Sequence, residues 1–196
     1  VDFNTIFPGK KNVYCEIGFG MGLATAELAE KQPESGFIGI EVFPAGIGKL
    51  LSEIGRRGLE NIRIFRGDAV RIVKDRIGPE TITGFHVFFP DPWPKKRHHK
   101  RRLIQPQFAG TLAERIQPGG YLYVVTDWQD YAQHILRTLE GEKELVNSYA
   151  ENDGGFAEPQ HWRPTTKFEK RGMKKEHQIS EIVFRKPGPV LPAAGR

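Results

Sequence analysis

Glu16 opens the run Glu16-Ile17-Gly18-Phe19-Gly20-Met21-Gly22, in which three glycines follow a carboxylate at alternate positions. Glycines between a strand and a helix let backbone N–H groups and a helix N-terminus come close to a ligand. The dinucleotide pattern G-x-G-x-x-G is not met, because Leu23 stands where its third glycine belongs and the extra glycine falls at Gly22. A carboxylate beside a pyrophosphate repels it, whereas a carboxylate beside an ammonium group attracts it. Glu41 closes the next apolar run, where α/β nucleotide folds place the acid that accepts from both ribose hydroxyls. Asp68, in Gly67-Asp68-Ala69, follows the third apolar run and suits the exocyclic amine of an adenine. One acid for an ammonium, one for a sugar and one for an adenine describe S-adenosylmethionine better than NAD. Each feature also has a plainer use: Asp68 as a helix cap, Glu41 as a surface acid, the glycines as a tight turn.

A fourth carboxylate, Asp91, lies in Phe89-Pro90-Asp91-Pro92-Trp93-Pro94. Its flanking prolines fix φ and bias the residues before them toward extended geometry, which predicts a stiff arm presenting one acid. Trp93 offers a surface for a flat ring. The octapeptide Lys95-Lys96-Arg97-His98-His99-Lys100-Arg101-Arg102 follows at once, with six Lys or Arg and no acid. A positioned acid next to a phosphate-binding run points to a nucleic-acid substrate from which one base is brought in. Asp127, in Thr126-Asp127-Trp128, follows a later apolar run and reads either as a second substrate acid or as a helix cap.

The elements that must position these residues alternate strand-length apolar runs with segments of helical period, the pattern of a parallel sheet with crossover helices. Strands are expected near 12–17, 36–42, 61–65, 84–89, 120–126, 145–149 and 179–185. Helices are expected near 23–31, 44–57, 70–77, 106–116 and 130–139. Phe85, Val87, Phe88 and Phe89 make the fourth strand apolar on both faces, as a central strand requires. In open α/β sheets, ligands sit outside the carboxyl ends of the strands, which is where all four acids fall. One doubly wound α/β domain over residues 1–185 is the reading, with a flexible Pro/Gly/Ala tail from 186 to 196.

The 196 residues carry 29 Lys plus Arg against 24 Asp plus Glu; without the six cations of the octapeptide the balance is 23 against 24. A second basic segment, 161–177, sets Arg163, Lys167, Lys170, Arg171, Lys174 and Lys175 against Glu169 and Glu176. Cations concentrated on an otherwise acidic body read as the footprint of a polyanion. The single cysteine, Cys15, excludes an internal disulfide framework and multi-cysteine metal sites, and reads as a small buried hydrophobe. His86, inside the fourth strand, reads as a packed histidine. His98 and His99 are adjacent and diverge in an extended chain, so no metal site is expected. No apolar run reaches the roughly 18 residues of a membrane span, which favours a cytoplasmic protein without a membrane partner. The chain starts at Val1 rather than Met, so a natural N-terminal segment is expected to precede it.

The Glu16–Gly22 run, the stretch from Phe89 to Arg102, and Thr166-Lys167-Phe168-Glu169-Lys170-Arg171-Gly172 together resemble the bacterial tRNA (guanine-N7-)-methyltransferases. The resemblance extends from about Asn12 to Arg185. It implies a Rossmann-like, S-adenosylmethionine-dependent fold whose seven-stranded, mostly parallel sheet has an antiparallel last strand. It also implies methyl transfer to N7 of the guanosine at variable-loop position 46 of tRNA. The methyl-donor contacts then fall on Glu16, Glu41, Asp68 and Asp91, the last also being the candidate catalytic residue. Substrate contacts fall on Lys95, Asp127, Thr166, Lys167, Phe168 and Glu169. RNA contacts fall on Arg97, His98, His99, Lys100, Arg101 and Arg102. No obligate protein partner is implied, and the state is monomer or homodimer. Two rivals share parts of this pattern. A nicotinamide oxidoreductase shares the fold but not the glycine spacing, and a non-catalytic RNA-binding domain shares the basic segments but needs none of the cleft acids.

Overall fold

The computed structural model describes residues 1–164 and 178–188. Among the described residues seven strands form one sheet: β1 (Val13–Ile17), β2 (Gly36–Glu41), β3 (Ile62–Arg66), β4 (Ile82–Phe88), β5 (Ile116–Thr126), β6 (Val146–Asn147) and β7 (Ser180–Arg185). Their order is β3-β2-β1-β4-β5-β7-β6. Neighbours from β3 to β5 run parallel, and β7 runs antiparallel to both β5 and β6. The mostly parallel sheet with one reversed strand is the expected architecture. The strand order turns outward in both directions from between β1 and β4, and such a reversal opens a crevice at the strands' carboxyl ends.

Alternation along β1 decides what lies on each side. Val13, Cys15 and Ile17 point into a core shared with Val73 of α4 (Ala69–Arg76), Phe108 and Leu112 of α5 (Pro106–Arg115), and Tyr131 and Ile135 of α6 (Gln129–Glu140). On the other face Phe37 packs with Ala26 and Leu28 of α2 (Leu23–Lys31) and with Leu50 of α3 (Pro44–Arg57). Glu16 therefore lands on the α2 side. α3 and α5 each open with proline in the first helical turn, where the missing N–H removes no helix bond. Cys15 is fully buried, and burial pushes its thiol far above its usual range.

His86 and Phe88 occupy the face of β4 opposite Phe85. The His86 ring stacks on Tyr14 and Phe88, touches Trp162, and pairs its Nε2 with the Tyr121 hydroxyl at 2.9 Å. Burial lowers its pKa to about 3, so the ring is neutral. It is the packed histidine that its place in a strand suggests.

Several element bounds depart from the sequence reading. β5 starts at Ile116, not near 120, because Pro118-Gly119-Gly120 forms an irregularity within the strand instead of a break before it. Gly119 sits at φ +82, and a Cβ at Gly120 would lie 2.7 Å from the Thr83 carbonyl oxygen. A short helix, α1 (Phe3–Ile6), is capped by Asp2 and had no sequence expectation. Lys186, assigned by composition to the tail, exchanges backbone bonds with Gly119 and Gly120 and pairs its ammonium with Glu80 and Glu144.

Asn61 secures the end of α2. Its Nδ2 donates to the carbonyls of Ala29, Gln32 and Ser35 at 3.0, 3.2 and 3.0 Å, two of which belong to the helix end and its cap. Replacing Asn61 with Ala leaves those buried acceptors without a donor. The expected loss is about 1–3 kcal/mol, read by urea unfolding, and a change below a few tenths would contradict this role.

Candidate active site

The glycine loop between β1 and α2 owes its shape to left-handed backbone. Gly18, Gly20 and Gly22 have φ of 72°, 57° and 70°, a region that side chains with a Cβ rarely enter. Space is short as well: a Cβ on Gly46 of α3 would lie 2.0 Å from the Gly20 carbonyl oxygen. The loop, the start of α3 and the end of β2 are therefore one packed unit. Glu41 holds them together, its Oε2 accepting from the Gly20 amide at 2.8 Å and its Oε1 from the Val42 and Phe43 amides at 2.7 and 3.0 Å.

Beyond this loop lies a cleft of about 1450 Å³. Glu16, Glu41, Asp68 and Asp91 all line it, together with Gly18, Gly20 and Gly22. Lys100, Arg101 and Trp93 line the same cleft. Glu16 is buried, and Thr25 Oγ1 donates to its Oε2 at 2.5 Å. Burial is the main reason its pKa rises to about 7; the Thr25 bond opposes the rise and Glu41 adds to it. A carboxylate so placed gains most from a cationic ligand. Asp68 is the N-cap of α4, its Oδ1 accepting from the Arg71 amide at 2.9 Å. Capping and lining the cleft are thus compatible uses of one residue.

The Asp91 arm differs from its expected geometry. Phe89 and Trp93, each preceding a proline, take φ of 53° and 44° instead of extended values. Such backbone is costly for aromatic residues and persists only where surrounding contacts impose it. Those contacts are visible: the Phe89 amide donates to the Val125 carbonyl at 2.8 Å, and the Arg101 guanidinium lies 5.0 Å from the centre of the Trp93 ring. Trp93 therefore packs against the basic turn, with His98 edge-on at 5.9 Å.

The basic run is a 3₁₀ helix over Lys96–Arg101 and not an extended chain. Arg97, Lys100 and Arg101 are exposed, and His98 and His99 are half-buried. Arg102 departs from the RNA-contact reading. Its side chain is 1% exposed, pairs with Asp130, and donates from Nε to the Pro92 carbonyl at 2.9 Å. The turn tucks this last cation inward, so it reaches the cleft wall with little of its side chain exposed.

Two expected substrate residues do not line the cleft. Lys95 is exposed at the start of the 3₁₀ turn, and Asp127 is half-buried beside a separate shallow groove with Trp128 and Asp130. Asp127 does not cap α6, whose N-cap position is Trp128 with no side-chain cap. Thr166, Lys167, Phe168 and Glu169 lie outside the described residues. The sequence reading missed Thr25, Arg71 and Lys74. The first partners Glu16, and the other two line the cleft from α4 at i, i+3 spacing, a pattern a helical projection would have found. Among the described residues no cluster of His, Cys, Asp and Glu is arranged to hold a metal ion, and no helix is long and apolar enough to cross a membrane.

The methyltransferase family model Methyltransf_4 matches residues 10–182. The chain is 46% identical over 187 residues to the tRNA (guanine-N(7)-)-methyltransferase of Paraburkholderia xenovorans (strain LB400), a match covering 95% of this chain and 70% of that protein. It is 49% identical over 184 residues to the protein of that name from Nitrosomonas europaea, covering 94% of this chain and 80% of the other. Among solved structures, the 16S rRNA methyltransferase KamB superposes with a TM-score of 0.65 at 14% identity, covering 94% of this chain and 93% of its own. TrmN from Thermus thermophilus gives 0.61 at 14% identity, over 94% of this chain and 46% of its own. These two likenesses show a shared methyltransferase fold. With the two close relatives and the family model spanning nearly all of the sequence, the chain belongs to the tRNA (guanine-N(7)-)-methyltransferase family.

Proposed function

We propose that this chain transfers a methyl group from S-adenosylmethionine to N7 of a guanosine in tRNA, at variable-loop position 46. The observation that carries the reading is one cleft holding both Glu16, Glu41, Asp68 and Asp91 and the cations Lys100 and Arg101. A donor site and a phosphate ledge share a wall, so a base swung off the RNA backbone meets the donor. Its substrate puts the activity where tRNA is, in the cytoplasm.

The cleft residues fit the donor by their chemistry. The buried Glu16 would hold the α-ammonium group, beside amides of the left-handed glycine loop. Glu41 would take a ribose hydroxyl; a carboxylate has about four acceptor sites, and backbone amides fill three of them, leaving one on Oε2. Asp68 would accept the adenine amine. When bound, S-adenosylmethionine supplies an electrophilic methyl group on a sulfonium sulfur. Guanine N7 carries an in-plane lone pair, so no proton has to leave before attack. Alignment and water exclusion are what the protein must provide. Asp91 serves as a positioner that accepts from the guanine N1–H and amine edge, and not as a general base. Lys100 and Arg101 hold phosphates of the strand that delivers the base, which makes affinity fall steeply with salt.

Incubating the protein with unmodified tRNA and labelled donor, then reducing with borohydride and treating with aniline, is expected to cut the RNA at the methylated variable-loop guanosine. Label without cleavage there, or no label, would contradict the reading. Glu16 adds a pH signature. Below about pH 7 the free protein holds Glu16 protonated, and binding an ammonium group must expel that proton. Affinity for S-adenosylhomocysteine is therefore expected to weaken from pH 7.5 to 5.5, by at most about tenfold per unit. In Glu16→Gln the profile is flat and binding at pH 7.5 weaker; an unchanged slope would exclude Glu16 as the ammonium partner.

A further inference from the structure

We propose that Arg102 is a positioning residue that clamps the Asp91 arm to α6, and not a phosphate ligand of the basic run. The inference rests on the methyl-transfer reading above and names how that site is held.

Arg102 is the last cation of the octapeptide and the only one of its Lys and Arg residues that is buried. Its guanidinium reaches three segments. Nε donates to the carbonyl of Pro92, the residue after Asp91, at 2.9 Å. Nη2 pairs with Asp130 in the first turn of α6 and lies 3.1 Å from His99 Nε2 within the basic turn. The cation also sits 4.9 Å from the centre of the Tyr131 ring. That ring is itself fixed, its hydroxyl accepting from the Ile104 amide at 3.1 Å. A planar fork that bonds in two directions can do this; the point charge of a lysine cannot span both partners.

The need for such a clamp is in the backbone. Pro90-Asp91-Pro92 is bracketed by Phe89 and Trp93, both at positive φ. Backbone of this kind relaxes unless its surroundings hold it. Phe89 anchors one end through Val125, at the end of β5. Arg102 anchors the other end through Pro92, against the helix that follows β5. The arm is thus referenced twice to the same strand–helix junction. A reaction limited by alignment is sensitive to this reference, because displacement of about 1 Å can cost about a hundredfold in rate.

The test compares Arg102→Lys, Asp130→Asn and Asp130→Glu with the wild type. It reads kcat for tRNA methylation, Kd for tRNA across a salt series, and Kd for S-adenosylhomocysteine. Asp130 is largely exposed, with 59% of its side chain accessible, so its variants keep the test informative even where Arg102→Lys does not fold. The expected result is a kcat lowered roughly 10- to 100-fold in Arg102→Lys and Asp130→Asn. Both Kd values stay within about threefold, and Asp130→Glu recovers most of the rate. A double variant no worse than the stronger single one would show that both act through one link. The opposite result is equally distinct: if Arg102 is a phosphate ligand, freeing it in Asp130→Asn tightens tRNA binding and steepens the salt dependence. That outcome, or an unchanged kcat, overturns the proposal. Wild-type protein that methylates no guanine N7 would instead overturn the underlying functional reading.

Discussion

Parallel pairing is the constraint on which the rest depends. β2, β1 and β4 lie side by side and point the same way, so their carboxyl ends form one rim. Glu16 pairs with Gly39 and His86 in the ladder, Glu41 closes β2, and Asp91 follows β4 by a short arm. Asp68 joins from the turn after β3, next in order. Residues up to 75 positions apart in sequence thereby face one cleft without a dedicated scaffold. The glycine loop supplies the remaining condition. Its left-handed turns let α3 approach so closely that Gly46 cannot bear a Cβ.

Within that cleft one acid is set apart by burial. Glu16 is deepest and its ionisation is held back by desolvation, whereas Asp68 and Asp91 are exposed at the wall. Lys100 and Arg101 stand at the edge. A buried acid within a rim that carries both signs suits a small cationic donor held by the protein and a polyanion held at the rim. Elsewhere, opposite charges are used to build. Glu53 on α3 gathers Lys49, Arg56 and Arg57, and Arg57 reaches across to Glu30 on α2. A buried trio of Tyr123, Arg163 and Glu181 holds the segment before residue 165 against β5 and β7.

Much of this was legible because the signals were periodic or terminal. Apolar runs alternating with helical periods give strands and helices in order, and an acid at the end of such a run is an acid at the rim. β4 could be placed at the centre from Phe85, Val87, Phe88 and Phe89, although the strand ends at Phe88. What was not legible depended on contacts between distant residues. A run of six cations does not disclose which one turns inward; only the presence of Asp130 and Tyr131 decides it for Arg102. The local rule for residues before proline predicts extended backbone, and tertiary contacts to Val125 and Arg101 override it at Phe89 and Trp93. Pro118-Gly119-Gly120 looks like a break, yet close approach to Thr83 absorbs it as an irregularity within β5. Asp127 and Lys95 illustrate the reverse: their motif neighbours lie at the cleft, and they do not.

The central claim is that Glu16, Glu41 and Asp68, from three strand ends, act as one donor site that Asp91 faces. Calorimetry of S-adenosylhomocysteine binding to Glu41→Gln and Asp68→Asn tests it most directly, with Glu158→Gln, exposed and not among the cleft-lining residues, as a control. The account predicts about a tenfold or greater weakening in both and none in the control, the scale of a lost charge-assisted hydrogen bond. Unaltered affinity in both would contradict it, and would reduce the shared rim to an accident of topology.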